Sequence, residues 1–186
     1  HVESPSCPRN LARLAEALAK REENRLMNFG KKLEKIIKRN NSLLSIGLDP
    51  DLEKIPQHLR KYKDPIFNFN KQIIDATHDL VCAYKPQIAH YSALGILGIG
   101  SLLKTINYLI HSYPQIPIIL DAKRADIGST SRLYAKEAFD VFNADAVTVN
   151  PYLGFDSIKP FLERRDKGVI VLCRTSNKSA GDFQDL

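Results

Sequence analysis

Apolar residues along this chain gather in five short runs, at positions 43–48, 80–84, 116–120, 146–149 and 168–172. Each is too short for a helix and almost continuously apolar, as expected of strands covered on both faces. The stretches between the runs change period. Phe29, Leu33, Ile36 and Ile37 fall at helical spacing with lysines on the other side, and this predicts a helix facing a core. Further helices are predicted at about 66–78, 98–111, 129–142 and 157–165, punctuated by Asn40, Asn41, Pro56, Pro65, Pro114 and Pro117. Strand and helix therefore alternate, which is the signature of a parallel sheet covered by helices.

The first 26 residues break the pattern. After a loop-like HVESPSCP comes an Ala- and Leu-rich segment in which Leu11, Leu14 and Leu18 form a narrow stripe among charges. It reads as a short exposed helix over Asn10 to Leu26. Met27 is the only methionine in the chain. The expectation is a native start at Met27, with 1–26 an appended element and 27–186 the folded domain.

Polar residues follow every predicted strand: Asp49, Lys85, Asp121 with Lys123, Asn150, and Ser176. A doubly wound sheet would concentrate its ligand groups at one switch point. Five successive polar strand ends favour a (β/α)₈ TIM barrel, which carries its active site at that face. No G-x-G-x-x-G or G-x-x-x-x-G-K occurs, so the usual nucleotide-binding loops lack their marker.

The stretch 116–130, IPIILDAKRADIGST, concentrates the chemistry. Residues two apart in a strand share a face, so Asp121 and Lys123 would lie together, with Asp126 able to close back on the lysine. Nearby carboxylates favour the charged form of an amine, and Lys123 is expected to be a standing cation rather than a Schiff-base nucleophile. By spacing alone, a structural ion-pair network at a strand end explains the same residues equally well. Taken singly, Asp49 could be a turn residue before Pro50, Lys85 a surface lysine, and Ser176 with Asn177 ordinary loop polarity.

Composition narrows the picture further. A chain of 186 residues with 26% charged and 44% apolar residues suits one globular domain. The net charge of +6 would suit a nucleic acid or an anionic small molecule. Its lysines and arginines are scattered, apart from Lys31, Lys32, Lys35, Lys38 and Arg39, so a solvated basic helix face is expected rather than a nucleic-acid surface. Cys7, Cys82 and Cys173 are odd in number and widely spaced, which implies neither a disulfide framework nor a zinc site and points to a reducing, cytosolic setting. His58, His78, His90 and His111 show no paired spacing for a metal. No apolar run approaches the roughly 20 residues of a membrane span, and the N-terminus has no signal-peptide core.

The D-x-K-x-x-D pattern of Asp121, Lys123 and Asp126 resembles the signature of the orotidine 5′-phosphate decarboxylase family. Four further stretches are similar to one branch of it, in the same order: SIGLDPD, AYKPQIAHY, VTVNPYLGFDSIKPFL and VIVLCRTSN. The resemblance runs from about Met27 to Leu186. It implies conversion of orotidine 5′-phosphate to uridine 5′-phosphate and CO₂ in pyrimidine biosynthesis, without metal or organic cofactor. By position, Lys123 would be the proton donor and Asp121 would sit near the departing carboxylate. Asp126 would complete the charge array of a partner subunit in a homodimer. Asp49 and Lys85 would hold the ribose hydroxyls and the charge network, and Ser176 the pyrimidine. The family's barrel has eight strands and grips phosphate after the seventh and eighth. Five are counted here, so a fragment is expected, weakly active alone, whose C-terminal half comes from a longer protein or another chain. Two rivals stand beside this reading: a magnesium-dependent sugar-phosphate decarboxylase or aldolase of the same superfamily, and a non-catalytic barrel fragment whose Leu11, Leu14 and Leu18 helix binds a partner.

Overall fold

A computed structural model describes residues 27–185. The expected helix at Asn10 to Leu26, its leucine stripe and Cys7 lie outside the described residues. The described chain opens with α1 (Phe29–Asn40), followed by β1 (Ser45–Leu48), the short α2 (Gln57–Arg60) and α3 (Pro65–Thr77). Then come β2 (Ala83–Pro86), α4 (Ile88–Ser92), α5 (Gly95–Ser112), β3 (Ile119–Arg124) and α6 (Gly128–Lys136), which runs on as a π-helical turn at Glu137–Val141. The order closes with β4 (Ala146–Val149), α7 (Phe155–Leu162), β5 (Gly168–Val171), a 3₁₀ turn at Lys178–Ala180 and α8 (Gly181–Gln184).

Strands β1 and β2 pair in parallel, as do β3 with β4 and β4 with β5. Single parallel bridges, Tyr84 to Ile118 and Gln87 to Asp121, connect β2 to β3. The spatial order is thus the chain order, with helices as crossovers. An open doubly wound sheet would reverse direction at a switch point; a consecutive order is that of a (β/α) barrel, of which five strands are described. Among the described residues β1 and β5 each have one neighbour. Ile170 and Val171 on β5 are 38% and 42% exposed.

The helices start where chemistry allows. Asn28 caps α1 by accepting the Lys31 amide at 3.0 Å, and Asn41, left-handed at φ 46°, ends it; asparagine tolerates that conformation better than most residues. Asp64 caps α3 in the same way at Phe67, with Pro65 at the first helical position. The π-helical turn at 137–141 was not anticipated from the periodic pattern; the Phe142 amide reaches the Glu137 carbonyl five residues back, at 3.0 Å. The short α4 was also not anticipated, and α5 starts three residues before its expected position.

The α1 face needs one correction. Ile36 is buried as expected, but so is Lys32. Its ammonium reaches both oxygens of Asp145 at 2.9 and 2.8 Å, and the same carboxylate accepts the Ile118 amide at 2.9 Å. A buried cation persists only when paired, and Asp145, just ahead of β4, supplies the pair. The Phe29 amide meets the Asp166 carbonyl at 2.8 Å, and its ring packs so closely on Gly168 that a Cβ there would collide with it. Helix α1 therefore closes the amino-terminal end of the strands and leaves the carboxyl ends for the site. The core between strands and helices includes Tyr84, Tyr91, Leu102, Ile106, Leu120, Val147 and Phe161.

Candidate active site

Three adjacent strands deliver charge to one point. Lys85, the third residue of β2, puts its ammonium 2.9 Å from Asp121 Oδ2. Lys123, on β3 itself, puts its own 2.7 Å from Asp121 Oδ1. Thr148 of β4 donates to that same Oδ1 at 2.8 Å. Asp121 is buried, 7% exposed, whereas the two lysines reach it from more open positions. Burial alone would push its carboxyl upward, but the hydrogen bonds from Lys123, Lys85 and Thr148 outweigh this and hold it below the ordinary aspartate value.

This arrangement differs from the clamp expected from spacing. Two carboxylates flanking one ammonium were expected; the structure instead has one carboxylate shared by two ammoniums. Asp126 does not close on Lys123. Its Oδ1 accepts the Ile127 amide at 2.7 Å, and it makes no ion pair among the described residues. The strand also continues past the predicted end at Leu120, through Asp121 and Lys123 to Arg124. Its register slips there: Leu120 faces Val147 and Arg124 faces Val149, so Asp121, Ala122 and Lys123 stand opposite Thr148 alone. Inside this bulge Lys123 has φ 48°, a left-handed conformation that costs a non-glycine residue roughly 1–2 kcal/mol.

The remaining candidates lie around this core with differing attachment. Asp49 follows β1, where its Oδ1 accepts the Gln87 amide at 3.1 Å; its second oxygen has no partner among the described residues. The β1 end is thereby tied to the residue just after β2. Ser176 sits in the exposed loop after β5 and makes no side-chain hydrogen bond to the described residues. That loop is braced instead by Thr175 with Gln184, whose oxygen accepts the Thr175 amide at 2.7 Å, and by Arg174 with Asp185. Asn150 contributes its amide, which donates to the Arg124 carbonyl at 3.1 Å and restarts the ladder beyond the bulge.

Sequence reasoning passed over Thr148, Arg124, Glu137 and Tyr134. Arg124 pairs with Glu137 at 3.2 Å and lies over the Tyr134 ring, 4.8 Å from its centroid, which braces the far side of the bulge against α6. Nothing in the spacing marks Glu137 or Tyr134. Thr148 did carry a signal, as the one polar residue within the apolar β4 run. Among the described residues no group of three or more His, Cys, Asp or Glu side chains converges as a metal site. A cleft of about 650 Å³ lies at the opposite, amino-terminal end among Lys32, His111, Asp145, Arg164 and Lys167, away from all six candidate residues.

Two outcomes follow from this geometry. Relieving the left-handed strain while removing the ammonium separates stability from function: Lys123→Gly is expected to be about 1 kcal/mol more stable than Lys123→Ala by urea unfolding. The depressed Asp121 carboxyl adds stability that is complete above the unfolded aspartate value of 3.8 and is lost as pH falls through the lower folded value. Asp121→Asn should therefore flatten the acid limb of the stability profile, measured as unfolding midpoints between neutral pH and pH about 3.

The comparisons with known proteins agree with this architecture. The sequence model of the orotidine 5′-phosphate decarboxylase / HUMPS family matches residues 42–186. A protein of Cellvibrio japonicus named orotidine 5′-phosphate decarboxylase is 60% identical over 162 residues, covering 86% of this chain and 59% of its own length. One of the same name from Janthinobacterium is 55% identical over 160 residues, covering 86% and 58%. The solved structure of Leishmania donovani OMP decarboxylase superposes with a TM-score of 0.73 at 38% identity, over 86% of this chain and 59% of that one. The chain thus spans somewhat more than half the length of the relatives it matches. Its strands run in barrel order with the paired charges at their carboxyl ends, and the match extends over most of that framework: the chain belongs to the orotidine 5′-phosphate decarboxylase / HUMPS family.

Proposed function

We propose that the charge network at the β2, β3 and β4 ends serves the decarboxylation of orotidine 5′-phosphate to uridine 5′-phosphate and CO₂, a step of pyrimidine biosynthesis that uses no metal or organic cofactor. The observation that carries this is the single Asp121 carboxylate held between Lys85 and Lys123, in a chain 60% identical to a protein of that name. Loss of CO₂ breaks a carbon–carbon bond and leaves an electron pair on a ring carbon that cannot delocalise it. A fixed ammonium in a preorganised site meets that charge without reorganisation. The Lys123 Nζ supplies the proton to the carbon and is left as an amine, to be recharged from solvent. In this reading Asp121 sits near the departing carboxylate, and its burial makes that proximity costly for the bound substrate and less so once CO₂ leaves. Asp49 and Lys85 take the ribose hydroxyls, and Ser176 the pyrimidine.

Asp126 has no ion-pair partner among the described residues and is followed by Ile127, 63% exposed. Leu97, Tyr152 and Phe155 are also exposed near the helix starts that follow the strands. Exposed apolar surface of this kind suits a protein partner. This supports a homodimer in which Asp126 completes the site of the second copy. The free thiols of Cys82 and Cys173 fit a cytosolic setting. Among the described residues no helix is long and apolar enough to cross a membrane.

The test is loss of orotidine 5′-phosphate followed by absorbance. This chain alone should turn over weakly, because the phosphate grip that the resemblance places after the seventh and eighth strands has no counterpart in the five strands described. Adding the polypeptide equivalent to the unmatched part of the Cellvibrio relative should restore turnover. In that mixture Lys123→Ala should lower the rate by about a thousandfold. A reconstituted protein that leaves the substrate intact, or a Lys123→Ala variant at full rate, would refute the reading. For the shared site, mixing Lys123→Ala with Asp126→Ala should recover activity, since a hybrid dimer keeps one intact site. No recovery from a mixture that sediments as a dimer would sink the sharing.

A further inference from the structure

We infer that Thr148 is a positioning residue for this reaction: its one hydroxyl shapes the β3 bulge, anchors the Asp121 carboxylate and so aims the Lys123 ammonium. The inference rests on the decarboxylase reading only for the role of Lys123; the geometry stands independently of it.

In a regular parallel ladder each inward amide of β3 would meet a carbonyl of β4. Here Asp121, Ala122 and Lys123 share Thr148 as their only opposite residue, and main-chain acceptors run short. The hydroxyl takes their place. Thr148 Oγ1 accepts the Ala122 amide at 2.9 Å and the Lys123 amide at 2.9 Å, and donates its proton to Asp121 Oδ1 at 2.8 Å. Two lone pairs and one proton are the full capacity of a hydroxyl, and every one is used at a side chain only 7% exposed.

Two successive amides directed at one oxygen curl the backbone, and the curl is recorded in the Lys123 φ of 48°. The same hydroxyl sorts the carboxylate. By binding Oδ1 it fixes the oxygen that Lys123 reaches at 2.7 Å and leaves Oδ2 to Lys85 at 2.9 Å. Valine has the same shape but would leave two partly buried amides without their protein acceptor, and the bulge would satisfy them only by opening toward water. Serine retains the hydroxyl. The identity of residue 148 thus determines whether the proton donor sits on its carboxylate or swings free.

The experiment compares Thr148→Val with Thr148→Ser in the full chain, reconstituted as above for activity. With the hydroxyl gone, amide hydrogen exchange at Ala122 and Lys123 should accelerate and the Asp121 carboxyl, followed by carbon-13 NMR, should titrate higher. The kcat for orotidine 5′-phosphate should fall by about a hundredfold, the scale of an ångström-sized misplacement, with KM little changed. Thr148→Ser should restore all three. Should Thr148→Val not fold, Thr148→Cys, of similar volume but a weak donor and acceptor, makes the same comparison. Protected amides and an unmoved Asp121 titration in the hydroxyl-free variant overturn the inference, as does an equal kcat loss in Thr148→Ser. If the unsubstituted protein shows no turnover but exchange and titration still follow the hydroxyl, the decarboxylase reading fails, and the catalytic part of the inference with it, while the anchoring role is upheld.

Discussion

A buried carboxylate that must stay ionised constrains everything around Asp121. Removed from water, it would take up a proton unless donors replaced its hydration, and the fold brings donors from three consecutive strands: Lys85 on β2, Lys123 on β3 and Thr148 on β4. That requirement explains why β2, β3 and β4 must be neighbours in space in their chain order. It also explains why β3 cannot be a regular strand at this point, since an unbroken ladder would give no single β4 hydroxyl access to both the carboxylate and the adjacent amides.

The two ends of the strand set have different duties. At the amino-terminal end, Lys32 with Asp145 and the Phe29 ring against Gly168 fasten α1 across the sheet. Those contacts are close-packed and lie at the end opposite the Asp121 network. At the carboxyl end, the backbone is irregular and carries strain at Lys123. Barrel enzymes commonly divide stability and chemistry between these two faces. The bracing of Arg124 by Glu137 and Tyr134 shows how helix α6 and its π-helical turn help to hold the irregular segment, since the ion pair reaches back from the helix to the residue next to the lysine. Strain of this kind persists only where surrounding contacts over-determine it.

The charge network also has a direction. Lys85 and Lys123 reach the carboxylate from partly open positions while Asp121 itself is enclosed. The open side of the network is therefore cationic, with the aspartate behind the two ammoniums. Asp49, tied to the Gln87 amide, extends the polar lining toward β1, whereas Ser176 hangs in a loop braced by Gln184 and Asp185.

Much of this was legible in the residues themselves. Alternating apolar runs and helical periods determined a parallel, helix-covered sheet, because burial on both faces requires continuous apolar strands. Polar residues after successive runs pointed to the carboxyl ends of the strands, and Asp121, Lys123 and Lys85 were among the candidates that the structure brings together there. The partners of those charges were not legible. A period-two rule placed Asp121 beside Lys123 but assumed an unbroken strand; the slip opposite Thr148 depends on contacts between strands 27 residues apart in sequence. Spacing suggested that Asp126 would clamp the lysine, whereas the fold brought Lys85 from 36 residues away to share Asp121 instead. Lys32 likewise turned inward because Asp145, 113 residues later, was waiting there. Local sequence sets which residues can carry charge and which faces are apolar. Which charge meets which is decided by long-range packing, where the penalty for an unpaired buried ion selects the pairing.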